Sequence, residues 1–408
     1  MTSENGMRDK PPPLPLSGFR LWWPWAATVI LLLWQVDFQF TYGFYAEPIQ
    51  RELGLTSSEA SIVAAVYLVS YGLMQIPAGL LIDRFGVARL LPLMGSGAAG
   101  SVLFFAHGQT YEELVAARLL AGIFMAFVFP SAGKIARIRL RPEHFPLAMA
   151  IADMCFGLGA VLAGSLSTLF SHIPWRNLMS THGFVGIAIT MVLAASLRRI
   201  RNPTTVTTES PLLSIRNALS RRNVLLGIGI YVWGAGLTFG FGGYWNLKLQ
   251  ESCGCTAPQV SELSSALFGG LAAGMLLAGI LGGEPDRRRF VLRMASIGAL
   301  LGLVLVLWAS PFATTATLSI LMVGLGLCLG ASALSFAVAV SGLPPGPGGT
   351  VVALVNAGGC LSGALFQELP LWLGRGTAGM FEVSVVYVTV SILGIVMTWS
   401  LPRHRGSE

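Results

Sequence analysis

Charge is what this sequence has least of. Asp, Glu, Lys and Arg make up 11% of its 408 residues, where an ordinary soluble domain carries about a quarter, so a globule of this composition could not cover itself with polar surface. Histidine and cysteine are sparse too, five of each. The histidines form no cluster: His107, His144, His172 and His404 fall in loops or tails, and His182 stands alone in an apolar run, a polar residue to be satisfied by a neighbour. Among the cysteines, Cys253-Gly-Cys255 is spaced to bind a soft metal or form a strained disulfide, while Cys155, Cys328 and Cys360 read as buried membrane cysteines. No nucleophile–base pair and no metal-ligand set emerges, which disfavours an enzyme; neither a metal nor a cofactor is expected. There is no phosphate-binding glycine loop, so ATP is not expected to drive the protein directly. Gly342-Leu-Pro-Pro-Gly-Pro-Gly-Gly349 follows no strand and reads as a turn-rich connection. No nucleic-acid recognition module accompanies the net charge of +7.

What the chain has in abundance is apolar length. Hydrophobic residues make up 54% of it and mean hydropathy is +0.69. Crossing a bilayer takes about 20 consecutive apolar residues. Twelve such stretches can be laid out, at roughly 24–46, 58–82, 90–107, 112–136, 146–170, 178–197, 224–247, 260–282, 290–309, 313–341, 350–374 and 381–401. Residues 1–23 are polar and proline-rich with no cleavable apolar core, which predicts a cytoplasmic tail rather than a signal peptide. Of the 26 Lys and Arg residues, 20 fall on the side of both tails and the even-numbered loops, four on the opposite side and two within spans. Basic loops stay inside, so both ends are expected in the cytoplasm, in a bacterial inner membrane, and the net charge is explained by topology.

Residues 198–223 break the apolar pattern and end in a short basic amphipathic segment, a linker expected to lie on the inner leaflet. It separates six spans at 24–197 from six at 224–401, with a tail at 402–408. Shifting the sequence by 203 residues lays Gly79 on Gly282, Asp83-Arg84 on Asp286-Arg287 and Asp153 on Asn356, so the second half is a worn copy of the first.

The most specific motif is Pro77-Ala-Gly-Leu-Leu-Ile-Asp-Arg-Phe-Gly-Val-Ala-Arg89. Gly79 and Asp83 share a helix face four residues apart, which lets a second helix approach; Gly86 supplies the permissive backbone of a tight turn; Arg84 and Arg89 place cations at the water boundary. This spacing resembles the loop between helices two and three of the major facilitator superfamily, although Val87 and Ala88 stand where that family usually has basic residues. The resemblance spans residues 24–401. It implies an all-α integral membrane fold of twelve transmembrane helices in two pseudo-symmetric six-helix bundles, with a small-molecule site between the halves. It also implies that Gly79, Asp83, Arg84, Gly86 and Arg89, with their worn copy Asp286 and Arg287, act as a cytoplasmic latch.

The first span carries the most polar chemistry. Gln35, Asp37, Gln39, Thr41, Tyr42 and Tyr45 fall in one arc of a helical wheel, with Val36, Phe40 and Gly43 on the other side. A carboxylate at mid-depth costs about 2.5–3.5 kcal/mol even on a mild insertion scale. Asp37 therefore calls for a role, as a proton carrier or contact to a cationic group, or else for a structural partner. Arg118 in span four is the possible counter-charge. It resembles the superfamily's R-x-x-x-G pattern, tied there to proton coupling or anion binding, and the alternative is snorkelling to outer headgroups. Lys134 reads as a snorkelling anchor, with substrate contact the alternative. Asp153 in span five, opposite Asn356, reads as an inner gate or a fixed interhelical hydrogen bond. Trp233 and Tyr244 on span seven, and Tyr67, Tyr71 and Gln75 on span two, are candidate cavity residues or, equally, belt and packing residues.

The reading is a secondary active transporter of a small organic solute, an anion, amino acid or short peptide. It works by alternating access, coupled to protons, in the lipid bilayer and as a monomer. Drug or metabolite efflux and a transport-dead sensor are the alternatives.

Overall fold

The computed structural model describes residues 18–170, 172–198, 211–343, 348–374 and 379–402. The tail at 1–17, most of the linker, residues 344–347 of the turn-rich connection and the tail at 403–408 lie outside the described residues.

Twelve helices are long and apolar enough to cross a membrane. In chain order these spans are Leu21–Leu53, Ser58–Phe85, Val87–His107, Tyr111–Arg139, Pro142–Ser167, Trp175–Leu197, Arg222–Ser252, Gln259–Leu281, Pro285–Ala309, Thr315–Ala339, Gly348–Leu373 and Met380–Trp399. No strand occurs among the described residues. The largest departure from the sequence layout is span one. It runs on to Leu53 because a helix need not end where its apolar stretch does: Glu47 and Arg51 pair one turn apart beyond the apolar part. The basic amphipathic stretch of the linker forms the helix Pro211–Leu219.

Local signals account for the ends and the breaks. Spans two and eight begin with similar capping boxes, Thr56 with Glu59 and Thr256 with Gln259, 200 residues apart rather than the 203 that aligns the rest of the repeat. Gly86 ends span two at φ +82°, a conformation that L side chains resist. Spans four and ten are each interrupted, just past the middle at Ala126–Phe127 and about two-thirds along at Ala331–Leu334. In span four the cause is Pro130, whose ring would clash with the carbonyl of residue 126. Span seven changes to π-helix over the glycine-rich stretch Gly236–Trp245.

Side chains sort by what covers them. Large apolar residues of the spans such as Leu73 (75% exposed) and Ile320 (73%) stand on the outside, as lipid contact demands. One buried core is drawn from spans one to six together with parts of spans seven, ten and eleven, and a second mainly from spans seven to twelve. Span two packs on span eleven, span five on span eight, and span four on span eleven, joining the halves.

Candidate functional site

The halves are tied most densely around Asp83. Its Oδ1 accepts from the backbone N–H of Gly349 at 2.9 Å, and its Oδ2 from the N–H and the hydroxyl of Thr350, both at 2.7 Å. Gly349 and Thr350 open span eleven, so the carboxylate caps the N-terminus of a helix in the other half, where unpaired N–H groups and the helix dipole favour an anion. Lys134 Nζ lies 2.9 Å from Oδ1 and also donates to Ile82 O at 3.0 Å. Gly79 makes the approach possible: a Cβ there would come within 2.6 Å of Ala353 Cβ and 2.8 Å of Gly349 O. Arg137 adds a hydrogen bond to Leu343 O at 3.0 Å across the halves.

Two sequence expectations are corrected here. Lys134 does not snorkel to headgroups; it is 5% exposed and paired with Asp83. Arg84 and Arg89 are exposed, Arg84 lying over the ring of Phe85, so the basic partner of Asp83 comes from span four rather than from its own loop. The worn copy differs as well. Asp286 and Arg287 are exposed, and Asp286 pairs with Arg289 of its own first turn at 3.2 Å. The buried cation is Arg288, which donates to the carbonyls of Gly282, Gly283 and Ala337 inside the second half. With Glu284-Pro285 starting a new helix, Asp286 is turned away from any capping position in the first half.

Deeper in the interface, Tyr231 of span seven donates to Asp153 Oδ1 at 2.6 Å, a bond between the halves that the sequence did not disclose. Asn356 is buried nearby but is not the partner of Asp153. Asp153 Oδ2, Asn356 Nδ2, the Tyr71 hydroxyl and both amide atoms of Gln75 are buried with few short contacts, Gln75 and Asn356 being side-chain neighbours of the Tyr71 hydroxyl, and this much buried polarity in one place marks a polar site. Cys360, one turn beyond Asn356, is exposed and lies within electrostatic reach of Asp153, Tyr71 and Tyr231.

At the end opposite Asp83, polar ties run within one half. Glu52 accepts from Trp175 and Arg176, each at 2.6 Å, and Arg176 reaches the carbonyls of Ala106 and Gly108. In the second half Gln259 joins Thr315 and Gln250 joins Ser310.

The polar arc of span one faces the interior of its own bundle, not the gap between the halves. Gln35, Asp37, Thr41, Tyr42 and Tyr45 are buried and Gln39 half-buried, while Phe40, Gly43 and Phe44 are the exposed face. Tyr42 donates to Ala60 O and Tyr45 to Phe170 O, both in the first half. Asp37 and Arg118 do not pair. Asp37 Oδ2 lies 3.3 Å from His182 Nδ1. Arg118, 2% exposed, sits over the rings of Phe38, Tyr42 and Tyr67 at 5.1, 4.9 and 4.8 Å and donates to Val63 O, leaving Nη1 without a protein partner. A cation over three aromatic faces is held by their quadrupoles, and at this burial it does not snorkel.

On span seven, Trp233 is buried against Gly394 of span twelve, and Tyr244 is half-buried with Lys248 over its ring at 5.2 Å. Neither is brought to Asp37 or Arg118. His182, Lys134, Thr350 and Tyr231 are the participants that sequence reasoning underrated or missed. The signal available for the first two was a titratable group inside an apolar span, which always calls for a partner.

Comparison with known proteins narrows what this arrangement belongs to. An uncharacterized transporter of Bacillus subtilis (strain 168) is 31% identical over 147 residues, 36% of this chain and 34% of that protein. A gallate transporter of Pseudomonas putida is 26% identical over 152 residues, 37% and 34% of the two chains. A probable L-galactonate transporter of Escherichia coli (strain K12) is 26% identical over 307 residues, 68% of this chain and 66% of that one. The chain thus spans about a third of the length of the first two relatives and just under two thirds of the last. Among solved structures, FucP in its outward conformation superposes with a TM-score of 0.71 at 13% identity, covering 94% of this chain and all of that one, a likeness of fold. The sequence model of the Major Facilitator Superfamily matches residues 27–367, and with its twelve spans in two halves this integral membrane protein belongs to that superfamily of transporters.

Proposed function

We propose that this protein moves a small organic acid across the bacterial inner membrane by alternating access, with both termini in the cytoplasm and the Asp83 end facing it. The carrying observation is an asymmetry. The bonds between the halves gather at the Asp83 end and at Asp153–Tyr231, whereas those at the other end run within one half. An arrangement closed at one end by a few charge-assisted hydrogen bonds, and lined just beyond by a buried polar cluster, can admit a solute from the opposite side. Releasing it inward requires those few bonds to part.

The choice of an organic acid draws support from the relatives named for gallate and galactonate. The buried Arg118, with a free Nη1, adds a cation near the polar cluster without a carboxylate to neutralise it. Proton coupling is assigned to Asp37, the buried carboxylate of span one, whose Oδ1 has no protein partner.

The test is counterflow in proteoliposomes. Vesicles loaded with an unlabelled hydroxycarboxylic acid should accumulate the same labelled acid faster than empty ones, and aromatic and aliphatic acids screened in parallel will show which is carried. Exchange of lipophilic cations with no exchange of any acid would overturn the substrate class.

A further inference from the structure

The contact between Asp37 and His182 says more about the proton than either residue does alone. His182 Nε2 lies 3.2 Å from the carbonyl oxygen of Trp34, and Nδ1 lies 3.3 Å from Asp37 Oδ2. Both ring nitrogens face oxygens, so the orientation of the ring is fixed by its partners. Trp34 returns a hydrogen bond from its indole N–H to His182 O at 3.0 Å, and the imidazole stacks on the indole at 5.1 Å and 15°.

A carbonyl oxygen can only accept, so Nε2 carries a proton. The other contact then needs one proton as well, on Nδ1 opposite a carboxylate or on the carboxyl opposite a bare Nδ1. With none, lone pairs of a carboxylate and an imidazole would face each other in a buried site; with two, the pair would carry an uncompensated positive charge. Either unpaired charge is costly so far from water. We propose that Asp37 and His182 act as a single one-proton store, with the proton held between Oδ2 and Nδ1; that it is the transported proton rests on the function proposed above.

Among the described neighbours of the pair, Arg118 brings a buried positive charge, and most of the others are apolar or neutral. Span three presents Leu103 to the span-six backbone at Gly183, and Phe105 to Phe38. Span five presents Gly159 to the backbone N–H of Asp37, with Cys155 and Asp153 four and six residues further along. Spans two and four bring Tyr67 and Arg118 to the Phe38 ring, which also stacks on His182 at 5.9 Å. The remaining titratable groups of span one are Tyr42 and Tyr45, bonded to backbone carbonyls elsewhere in the half. At its outer end span six holds Arg176, paired with Glu52.

The test reads His182 directly. Protein labelled with ¹⁵N-histidine in nanodiscs is titrated by NMR, and the His182 signals are identified by their loss in His182→Gln. If the two groups share one proton, Asp37→Asn should move the midpoint of the His182 titration by at least tenfold in proton concentration. Coincident titrations in parent and variant would overturn the proposal. Should Asp37→Asn fail to fold, infrared titration of the Asp37 carboxyl in parent and His182→Gln gives the converse reading: a tenfold displacement upholds the store and no displacement refutes it. Gradient-driven uptake that survives in Asp37→Asn while the His182 midpoint moves would remove the coupling role and leave the store intact.

Discussion

Replacing Asp83 by Asn should open the end of the protein that Asp83 closes. The carboxylate receives three hydrogen bonds from Gly349 and Thr350 and faces Lys134, and its side chain is only 12% exposed, so solvent screens it little. An amide keeps one acceptor oxygen and turns an NH2 group toward the other donors. Whichever way it flips, at least one charge-assisted bond is lost, about 1.5–3 kcal/mol, and the attraction of the span-eleven N-terminus for a full charge is lost too, about 0.3–1 kcal/mol. A shift of about 3 kcal/mol in the balance between closed and open follows, roughly a hundredfold, since each 1.4 kcal/mol is tenfold. A parent population of about one open molecule in a hundred would become about one in two. Spin labels at Arg89→Cys and Ser341→Cys, two exposed positions on the same end of opposite halves, report this as a pulsed-EPR distance distribution, with the native cysteines replaced. Identical distributions in parent and Asp83→Asn would refute the closing role of the carboxylate.

Three further perturbations separate the remaining parts of the account. Gly79→Val should act in the same direction, because a side chain there meets Ala353 and the backbone of Gly349 and Thr350; transport should fall several-fold while the protein still inserts, and normal flux would show that the close approach is dispensable. Tyr231→Phe deletes the 2.6 Å bond to Asp153 at constant shape, and stability measured by denaturation should drop by about 1–3 kcal/mol with the fold retained; an unchanged stability would mean that water replaces the hydroxyl at no cost. Asp37→Asn should abolish accumulation driven by an inward proton gradient while sparing equilibrative exchange, since the amide resembles the protonated acid; accumulation at the parent level would end the coupling role of Asp37.

The spans were legible because burial in lipid demands long apolar runs, and nine of the twelve lie within four residues of their sequence-based limits at both ends. Gly79, Asp83 and Gly86 could be singled out because turn geometry and close approach are local requirements. Pairings were not legible. Asp83 meets Thr350 267 residues away, Tyr231 meets Asp153 across 78, and Asp37 lies against a histidine of span six rather than the arginine of span four. A helical wheel gives the polar face of span one, but it cannot say whether that face looks into its own bundle or across to the other. The duplication also misled at Asp286, where Pro285 starts a new helix and leaves the aspartate paired with Arg289 in its own first turn.

The central claim is that the halves close at the Asp83 end and open onto Cys360 from the other. Cys360 can serve as its own reporter in a protein whose Cys155, Cys253, Cys255 and Cys328 have been replaced. A membrane-impermeant thiol reagent should modify it from the periplasmic face of right-side-out vesicles and much more slowly from the cytoplasmic face of inverted ones, and Asp83→Asn should narrow or reverse that preference. Equal rates from both faces in the parent, with no change on Asp83→Asn, would contradict the account.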